Sequence, residues 1–163
     1  MAERKQFSSF FVDGLFFGVE VEKVQEVIRY QEMTRVPLAP PVVLGLINLR
    51  GHIVTAVDLR RRLGLHERPA GQLPMNVVVR SEDGAVSLLV DEIGDVLEVD
   101  EETFEGPPET MSQRARELVP GVYKLKDHLM HILDTGRAMD LSNATESAIW
   151  GRCRRGWHKG STT

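Results

Sequence analysis

The chain carries one sequence pattern twice. Residues 45–63 and 121–139 align without a gap, and apolar positions match apolar positions. They are identical at Gly45/Gly121, Leu49/Leu125, His52/His128, Asp58/Asp134 and Arg61/Arg137. Residues 21–28 and 90–97 form a second matching pair. Because an internal repeat defines the unit of folding, this repeat of about 70 residues predicts two similar small lobes.

Composition narrows the class of protein. A chain of 163 residues can bury roughly 70% of its unfolded surface, so it can fold without disulfides or bound metal ions. The apolar fraction of 42% and the charged fraction of 27% are ordinary for a soluble protein. A single cysteine, Cys153, excludes an internal disulfide and a cysteine-based zinc cage. No apolar run has the length of a membrane span or a signal-peptide core, so we expect a cytoplasmic protein.

The charge is distributed unevenly. Residues 142–163 hold four basic residues against Glu146, a local net charge of +3. Since the whole chain has a net charge of −4, residues 1–141 carry −7. An acidic body is a poor surface for a phosphate backbone, so no nucleic-acid partner is expected for it. The basic segment 142–163 is interpreted as a disordered C-terminal tail, with nucleic-acid or anionic-surface binding as the alternative.

Short strands joined by turns dominate the pattern. Asp13-Gly14 lies between two apolar runs and is a strong signal for a two-residue hairpin turn. A second hairpin is predicted across residues 50–52. Residues 21–28 fit a short helix and a strand equally well. Asp58 and Asp134 each precede a short helical pattern, in the position of an N-cap.

These elements predict an all-β fold in one domain, residues 1–141. Proline and glycine in residues 66–75 mark a boundary between lobe 1, about residues 5–68, and lobe 2, about residues 72–141. Each lobe would contain about five short strands. A sheet of this size cannot hide its apolar face alone, so we expect each lobe to curl into a small barrel and the two barrels to pack together, with short helices.

No pattern for catalysis is evident. Asp58 and Asp134 could form an acid–base pair, but their repeated position favours helix capping. His128 and His131 would point to opposite faces of a strand, which argues against a metal site. Gly-x-Ser-x-Gly and the phosphate-binding glycine loops are absent from the sequence. The chain is therefore predicted to bind other proteins, with no catalytic residues, no metal, no cofactor and no small-molecule substrate.

Three motifs resemble the CheW family, the coupling proteins of bacterial chemosensory arrays. They are VQEVI at residues 24–28, GLINLRG at residues 45–51 and VDLR at residues 57–60. The second half agrees through residues 90–97 and Pro107-Pro108, so the resemblance covers about residues 5–141. It implies two SH3-like five-stranded barrels and no catalysis.

The resemblance also implies partners. Such proteins join the cytoplasmic tip of a transmembrane chemoreceptor to the regulatory domain of a CheA-type histidine kinase, and they meet the membrane only through receptors. A groove between barrels can accept a helix of the receptor tip. By motif match the receptor-binding residues would be Arg50 and Glu26, followed by Val24 and Gly45. Val21 and Val36, apolar residues at the ends of the first lobe, are candidates for the kinase-facing surface.

Alternative functions remain at this point. The same adaptor could serve a gliding or pilus-motility pathway, which the sequence does not separate from swimming. An SH3-like barrel could use the basic tail to bind nucleic acid, with affinity that falls steeply with salt. A small hydrolase built on Asp58, Asp134 and the histidines is the third possibility.

Overall fold

The computed structural model describes residues 4–81 and 84–139, and short strands dominate this part of the chain. The strands are β1 Arg4–Val12, β2 Leu15–Glu20, β3 Val24–Ile28, β4 Val43–Leu49, β5 His52–Asp58, β6 Met75–Ser81, β7 Gly84–Val90, β8 Glu92–Asp100, β9 Phe104–Glu105, β10 Gly121–Lys124 and β11 Leu129–Ile132. The helices are α1 Leu59–Leu63, α2 Gln113–Arg116 and α3 Thr135–Met139, and 3₁₀ turns cover Val21–Lys23 and Glu101–Thr103. The prediction of a mainly β fold with short helices is confirmed.

The described strands form two sheets. The six-stranded sheet has the order β8-β1-β2-β11-β10-β9, and its last strand is only two residues long. The five-stranded sheet has the order β3-β6-β7-β5-β4. Neighbouring strands are antiparallel except in the pairs β2–β11 and β5–β7, which are parallel.

Each sheet takes strands from both repeats. The β1–β2 hairpin of the first repeat pairs with β8 and β11 of the second. In the same way, the β6–β7 hairpin of the second repeat pairs with β3 and β5 of the first. The structure differs here from the expectation that residues 5–68 and 72–141 each form a lobe. The repeats and the sheets do not coincide, because the opening hairpin of each repeat pairs with strands of the other repeat.

Local signals in the sequence had the predicted outcome at the first hairpin turn and at two helix starts, and the structure resolves one ambiguous segment. Asp13 and Gly14 have φ angles of 50° and 77° and join β1 to β2 in a two-residue turn. The ambiguous residues 21–28 form a 3₁₀ turn followed by β3. Asp58 accepts a hydrogen bond from the Arg60 N–H at 3.1 Å, and Asp134 accepts one from the Arg137 N–H at 3.2 Å. The capping interpretation is therefore confirmed for both carboxylates.

The main core lies between the two sheets. Phe10 and Phe17 of the six-stranded sheet belong to the same buried cluster as Val57 and Leu88 of the five-stranded sheet. The rings of Phe10 and Phe17 are stacked 6.0 Å apart. The cluster also contains Leu63 at the end of α1. Because one core is shared by both sheets, the described residues form a single packing unit.

A buried ionic group, here called the Asp91 cluster, lies where the two repeats meet. It consists of Asp91, Arg60, Arg68, Asp58 and Asp13. Nη2 and Nε of Arg60 donate to the two oxygens of the Asp91 carboxylate at 2.6 Å and 3.0 Å, and Nε of Arg68 donates to the same carboxylate at 3.2 Å. The backbone N–H of Asp13 donates to the same carboxylate at 2.7 Å. Two cations and the tip of the β1–β2 hairpin therefore converge on one carboxylate.

The surroundings shift the pKa values of the two buried carboxylates, Asp91 and Asp58, in opposite directions. Burial would raise the pKa of Asp91, but hydrogen bonds from Arg60 and the Asp13 N–H outweigh it and hold this pKa below its usual value. Burial raises the pKa of Asp58, and the charge of Arg68, 3.5 Å away, offsets only part of that effect. Asp91 is therefore the carboxylate whose ionised form the fold stabilises.

Candidate functional site

Arg50 stands at the tip of the β4–β5 hairpin. Arg50 and Gly51 have φ angles of 53° and 88°, the left-handed pair that a tight two-residue hairpin turn requires. The Asn48 side chain accepts a hydrogen bond from the Gly51 N–H at 2.9 Å and so closes the turn. A left-handed conformation costs a residue other than glycine roughly 1–2 kcal/mol. The hairpin therefore holds Arg50 in a strained and exposed position.

The Arg50 side chain reaches across the five-stranded sheet to Glu26. Nη1 of Arg50 lies 2.8 Å from Oε2 of Glu26, although β3 and β4 are the two edge strands of that sheet. The Arg50 side chain is 79% exposed and that of Glu26 is 18% exposed. An arginine has five donor hydrogens, so one contact leaves most of this guanidinium open to a partner. The structure brings together the two residues that the motifs single out.

A groove of about 490 Å³ runs beside this ion pair. Its walls come from β3, from the β4–β5 hairpin and from the β6–β7 hairpin. Ile53 projects into solvent along it and is 64% exposed, while Arg80 adds a second cation. An exposed apolar side chain surrounded by a polar rim is typical of a protein-binding surface. The groove can therefore accept an apolar side chain and a carboxylate side by side.

Unlike the exposed Arg50, Val24 is partly buried and Gly45 is buried. Val24 lies on β3 and packs, partly buried, against the main core. Gly45 lies within β4, where an added Cβ would be 2.6 Å from the carbonyl oxygen of Thr34. Thr34 exchanges two backbone hydrogen bonds of 2.8 Å with Leu46 at this point. Gly45 thus permits the chain before β4 to pair closely with it.

Val21 and Val36 lie on separate parts of the surface. Val21 belongs to the 3₁₀ turn before β3 and lines a groove together with Lys5 and Glu98. Val36 is 37% exposed, and its neighbour Leu38 is 65% exposed. Leu38 also has a φ of 64°, which is rare for a bulky residue. Residues 36–38 therefore form an exposed apolar turn, whereas Val21 lies beside charged side chains.

The residues considered for catalysis or metal binding have structural roles instead. Asp58 and Asp134 each cap a different helix. His131 is buried and its Nδ1 lies 2.8 Å from the carbonyl oxygen of Phe16, and His128 packs against the Phe16 ring. Within residues 4–81 and 84–139 no three His, Cys, Asp or Glu side chains are arranged to hold a metal ion. None of the helices there has the length and apolarity of a membrane span.

Sequence reasoning missed Ile53 and the Asp91 cluster. A signal for Ile53 was present, because alternation along β5 places Ile53 and Thr55 on one face and the buried Val54 and Ala56 on the other. Arg60 and Asp91 lie within the motif segments 57–60 and 90–97, but nothing in the sequence indicated that they are buried together, since charged residues in sequence patterns are assigned to the surface by default. Cys153 and the rest of the predicted tail lie outside the described residues.

Comparison with known families gives a match over almost the whole described chain. Residues 6–142 match the model of the CheW-like domain. The "Chemotaxis protein CheW" of Bacillus subtilis is 31% identical over 140 residues, covering 86% of this chain and 89% of that protein. The "Probable chemotaxis protein CheW" of Rhizobium etli is 30% identical over 120 residues, covering 72% and 76%.

A solved structure has a similar fold. The scaffolding protein TtCheW from Thermoanaerobacter tengcongensis superposes with a TM-score of 0.76 and 27% sequence identity. The match covers 91% of this chain and 99% of that one. The expected pair of SH3-like barrels is thereby confirmed as the fold class, with six strands instead of five in one of the two sheets.

Proposed function

Since the chain belongs to the CheW family, we propose that it is a non-catalytic coupling protein of a bacterial chemotaxis system. It would hold the cytoplasmic tip of a transmembrane chemoreceptor and the regulatory domain of a CheA-type histidine kinase in one assembly. The observation that carries the proposal is the match to the CheW-like domain over residues 6–142. This role is cytoplasmic and needs no cofactor.

The mechanism we propose is positional. An adaptor that binds receptor and kinase together stabilises one of their relative arrangements, and such coupling between two sites is typically worth 1–3 kcal/mol. A receptor signal that changes this arrangement would then alter kinase activity. A gliding or pilus-motility pathway could use the same adaptor, and the surface described above suits either case.

The receptor is proposed to bind along the groove beside Arg50 and Glu26. A helical receptor tip can present one apolar side chain and one carboxylate on adjacent turns. Ile53 would contact the apolar side chain, and the open donors of Arg50 would bind the carboxylate. Val24 and Gly45 would support this surface from beneath, because Val24 packs on the core and Gly45 sets the path of the chain before β4.

Replacement of Arg50 by alanine tests the receptor site. We expect the affinity for the receptor tip to fall about tenfold or more, which corresponds to about 1.4 kcal/mol. Thermal stability should change little, since an exposed ion pair contributes about 0–1 kcal/mol. Calorimetric titration and thermal unfolding of the same samples would measure both quantities.

Arg116→Ala is the matched control, because Arg116 is an exposed arginine on α2 outside this groove. It should leave receptor affinity unchanged. Arg50→Lys should recover only part of the affinity, because lysine lacks the planar fork of donors. A large fall in unfolding temperature for Arg50→Ala, with binding reduced only in proportion, would instead make Arg50 a structural residue.

For the kinase we propose the apolar turn at residues 36–38, which begins with Val36, and keep Val21 as a second candidate. Val36→Asp should weaken binding of the kinase regulatory domain by about tenfold, because a charge would be buried against an apolar surface. Leu73→Asp is the control, since Leu73 is also an exposed apolar loop residue. Pull-down or calorimetry with the regulatory domain measures the effect. Equal losses in the two variants would argue against this turn.

A further inference from the structure

The outer edge of β8 is an open strand edge. β8 is the terminal strand of the six-stranded sheet and pairs only with β1 among the described strands. Val96 on this strand is 58% exposed, although valine favours half-buried positions in a sheet. An edge of this kind can accept another extended segment through its free N–H and C=O groups.

β8 lies within the most acidic stretch of the chain. Residues 91–109 include nine acidic residues and no lysine or arginine. Partners within the described residues neutralise Asp91, Glu101 and Glu105. Glu92, Asp95 and Glu98 are exposed on β8 and have no ion pair with any described residue. The β8 edge therefore presents three free carboxylates, with Glu92 on one face of the sheet and Glu98 beside the exposed Val96 on the other.

The complementary segment lies in the same chain. Residues 152–159 contain three arginines and one lysine with no acidic residue. Trp157 lies among them and, together with Trp150, accounts for the 2 tryptophans of the protein. An extended segment rises about 3.3 Å per residue, so residues 152–159 are one residue longer than residues 92–98. Opposite charge, similar length and an aromatic side chain make this segment a suitable occupant of the edge.

The connection is long enough for the contact to form within one molecule. The described chain ends with α3 at Met139, and twelve residues, 140–151, separate it from Arg152. Twelve extended residues span at most about 40–43 Å. A compact domain of this size has a radius of gyration of roughly 14 Å. The span of the connection therefore exceeds twice this radius, and the tether supplies a high effective concentration.

We propose that residues 152–159 dock in cis along the β8 edge. Their basic side chains pair with Glu92, Asp95 and Glu98, and Trp157 covers Val96. The C-terminal segment is then a removable cover for an open strand edge, which a partner or high salt can displace. The competing explanation is that the three carboxylates of β8 only prevent edge-to-edge association, as charged residues do on many edge strands. The inference is independent of the proposed adaptor function.

Tryptophan fluorescence of the full chain tests the proposal, because both tryptophans lie in the C-terminal segment. At about 0.01 M salt, where the Debye length is roughly 30 Å, we expect the anisotropy decay to report tryptophans that tumble with the whole domain. A triple variant, Glu92→Gln with Asp95→Asn and Glu98→Gln, should release the segment and lower the anisotropy. Wild type at about 1 M salt should show the same loss.

The control triple variant is Glu32→Gln with Glu117→Gln and Asp127→Asn, which removes the same charges from exposed sites elsewhere. It should keep the wild-type anisotropy, and circular dichroism should show both triple variants folded. Equal anisotropy in wild type and the β8 variant would overturn the proposal, as would an equal loss in the control. An anisotropy that rises with protein concentration would assign the contact to a second copy and also reject docking in cis.

Discussion

Replacement of Asp91 by alanine is expected to destabilise the protein by about 3–5 kcal/mol, the usual effect of removing one partner from a buried ion pair. The side chains of Asp91, Arg60 and Arg68 are only 7–8% exposed, so the two arginines would be left buried without their main partner. The Asp13 N–H would lose its acceptor as well. Thermal or urea unfolding followed by circular dichroism measures the loss.

Asp95→Ala is the matched control for this substitution. Asp95 lies four residues further along the chain, and its side chain is exposed. It should change stability by no more than about 0.5 kcal/mol. If Asp91→Ala unfolds at the same denaturant concentration as Asp95→Ala, the Asp91 cluster contributes nothing to stability.

Low pH should destabilise the protein through the same Asp91 cluster. Because the pKa of Asp91 is lowered in the fold, its contribution is present above the unfolded value of about 3.9 and is lost as pH falls through the folded value. The stability of the wild type should therefore fall below about pH 4, and Asp91→Asn should flatten this decline. The raised pKa of Asp58 acts in the opposite direction, and both proteins retain this carboxylate.

The second large effect is expected at the paired glycines of the repeat. A Cβ on Gly121 would lie too close to the Glu105 carbonyl oxygen and the Phe104 ring, and one on Gly45 would lie 2.6 Å from the Thr34 oxygen. Both neighbours include backbone that is held by strand pairing. Alanine at either position should therefore destabilise the fold by about 1–3 kcal/mol. Chemical denaturation of the two variants provides the measurement.

Gly106→Ala serves as the control for both variants. No atom lies within 4 Å of a Cβ placed on Gly106, so this change should be neutral or slightly stabilising. Receptor binding distinguishes a packing role of Gly45 from a role in the binding surface. If Gly45→Ala keeps wild-type stability but loses the receptor, Gly45 contributes to the binding surface and its packing role is secondary.

Local features of this fold were predictable because their causes are local. Asp13-Gly14 marks its turn through the left-handed conformation that both residues adopt. Asp58 and Asp134 mark helix starts through bonds to N–H groups two and three residues ahead. In each case the residues that determine the structure are adjacent in the sequence.

The long-range pairings were not predictable in the same way. The β1–β2 hairpin could pair with β3 and β5 or with β8 and β11, since the two sets carry the same pattern of apolar residues. The contact between Arg50 and Glu26 was indicated only as two separate motif positions. The ion pairs of Asp91 depend on where the exchanged hairpin places Asp13, which local sequence does not specify.

The exchange of hairpins has a consequence for how such a chain could have originated. One repeat alone would lack the hairpin that completes its sheet and would expose the edges of β3 and β5 or of β8 and β11. Two copies of one ancestral unit could satisfy each other by swapping hairpins, in the manner of a domain-swapped dimer. The present protein has the architecture of such a dimer in a single chain, and the segment between α1 and β6 connects its two repeats.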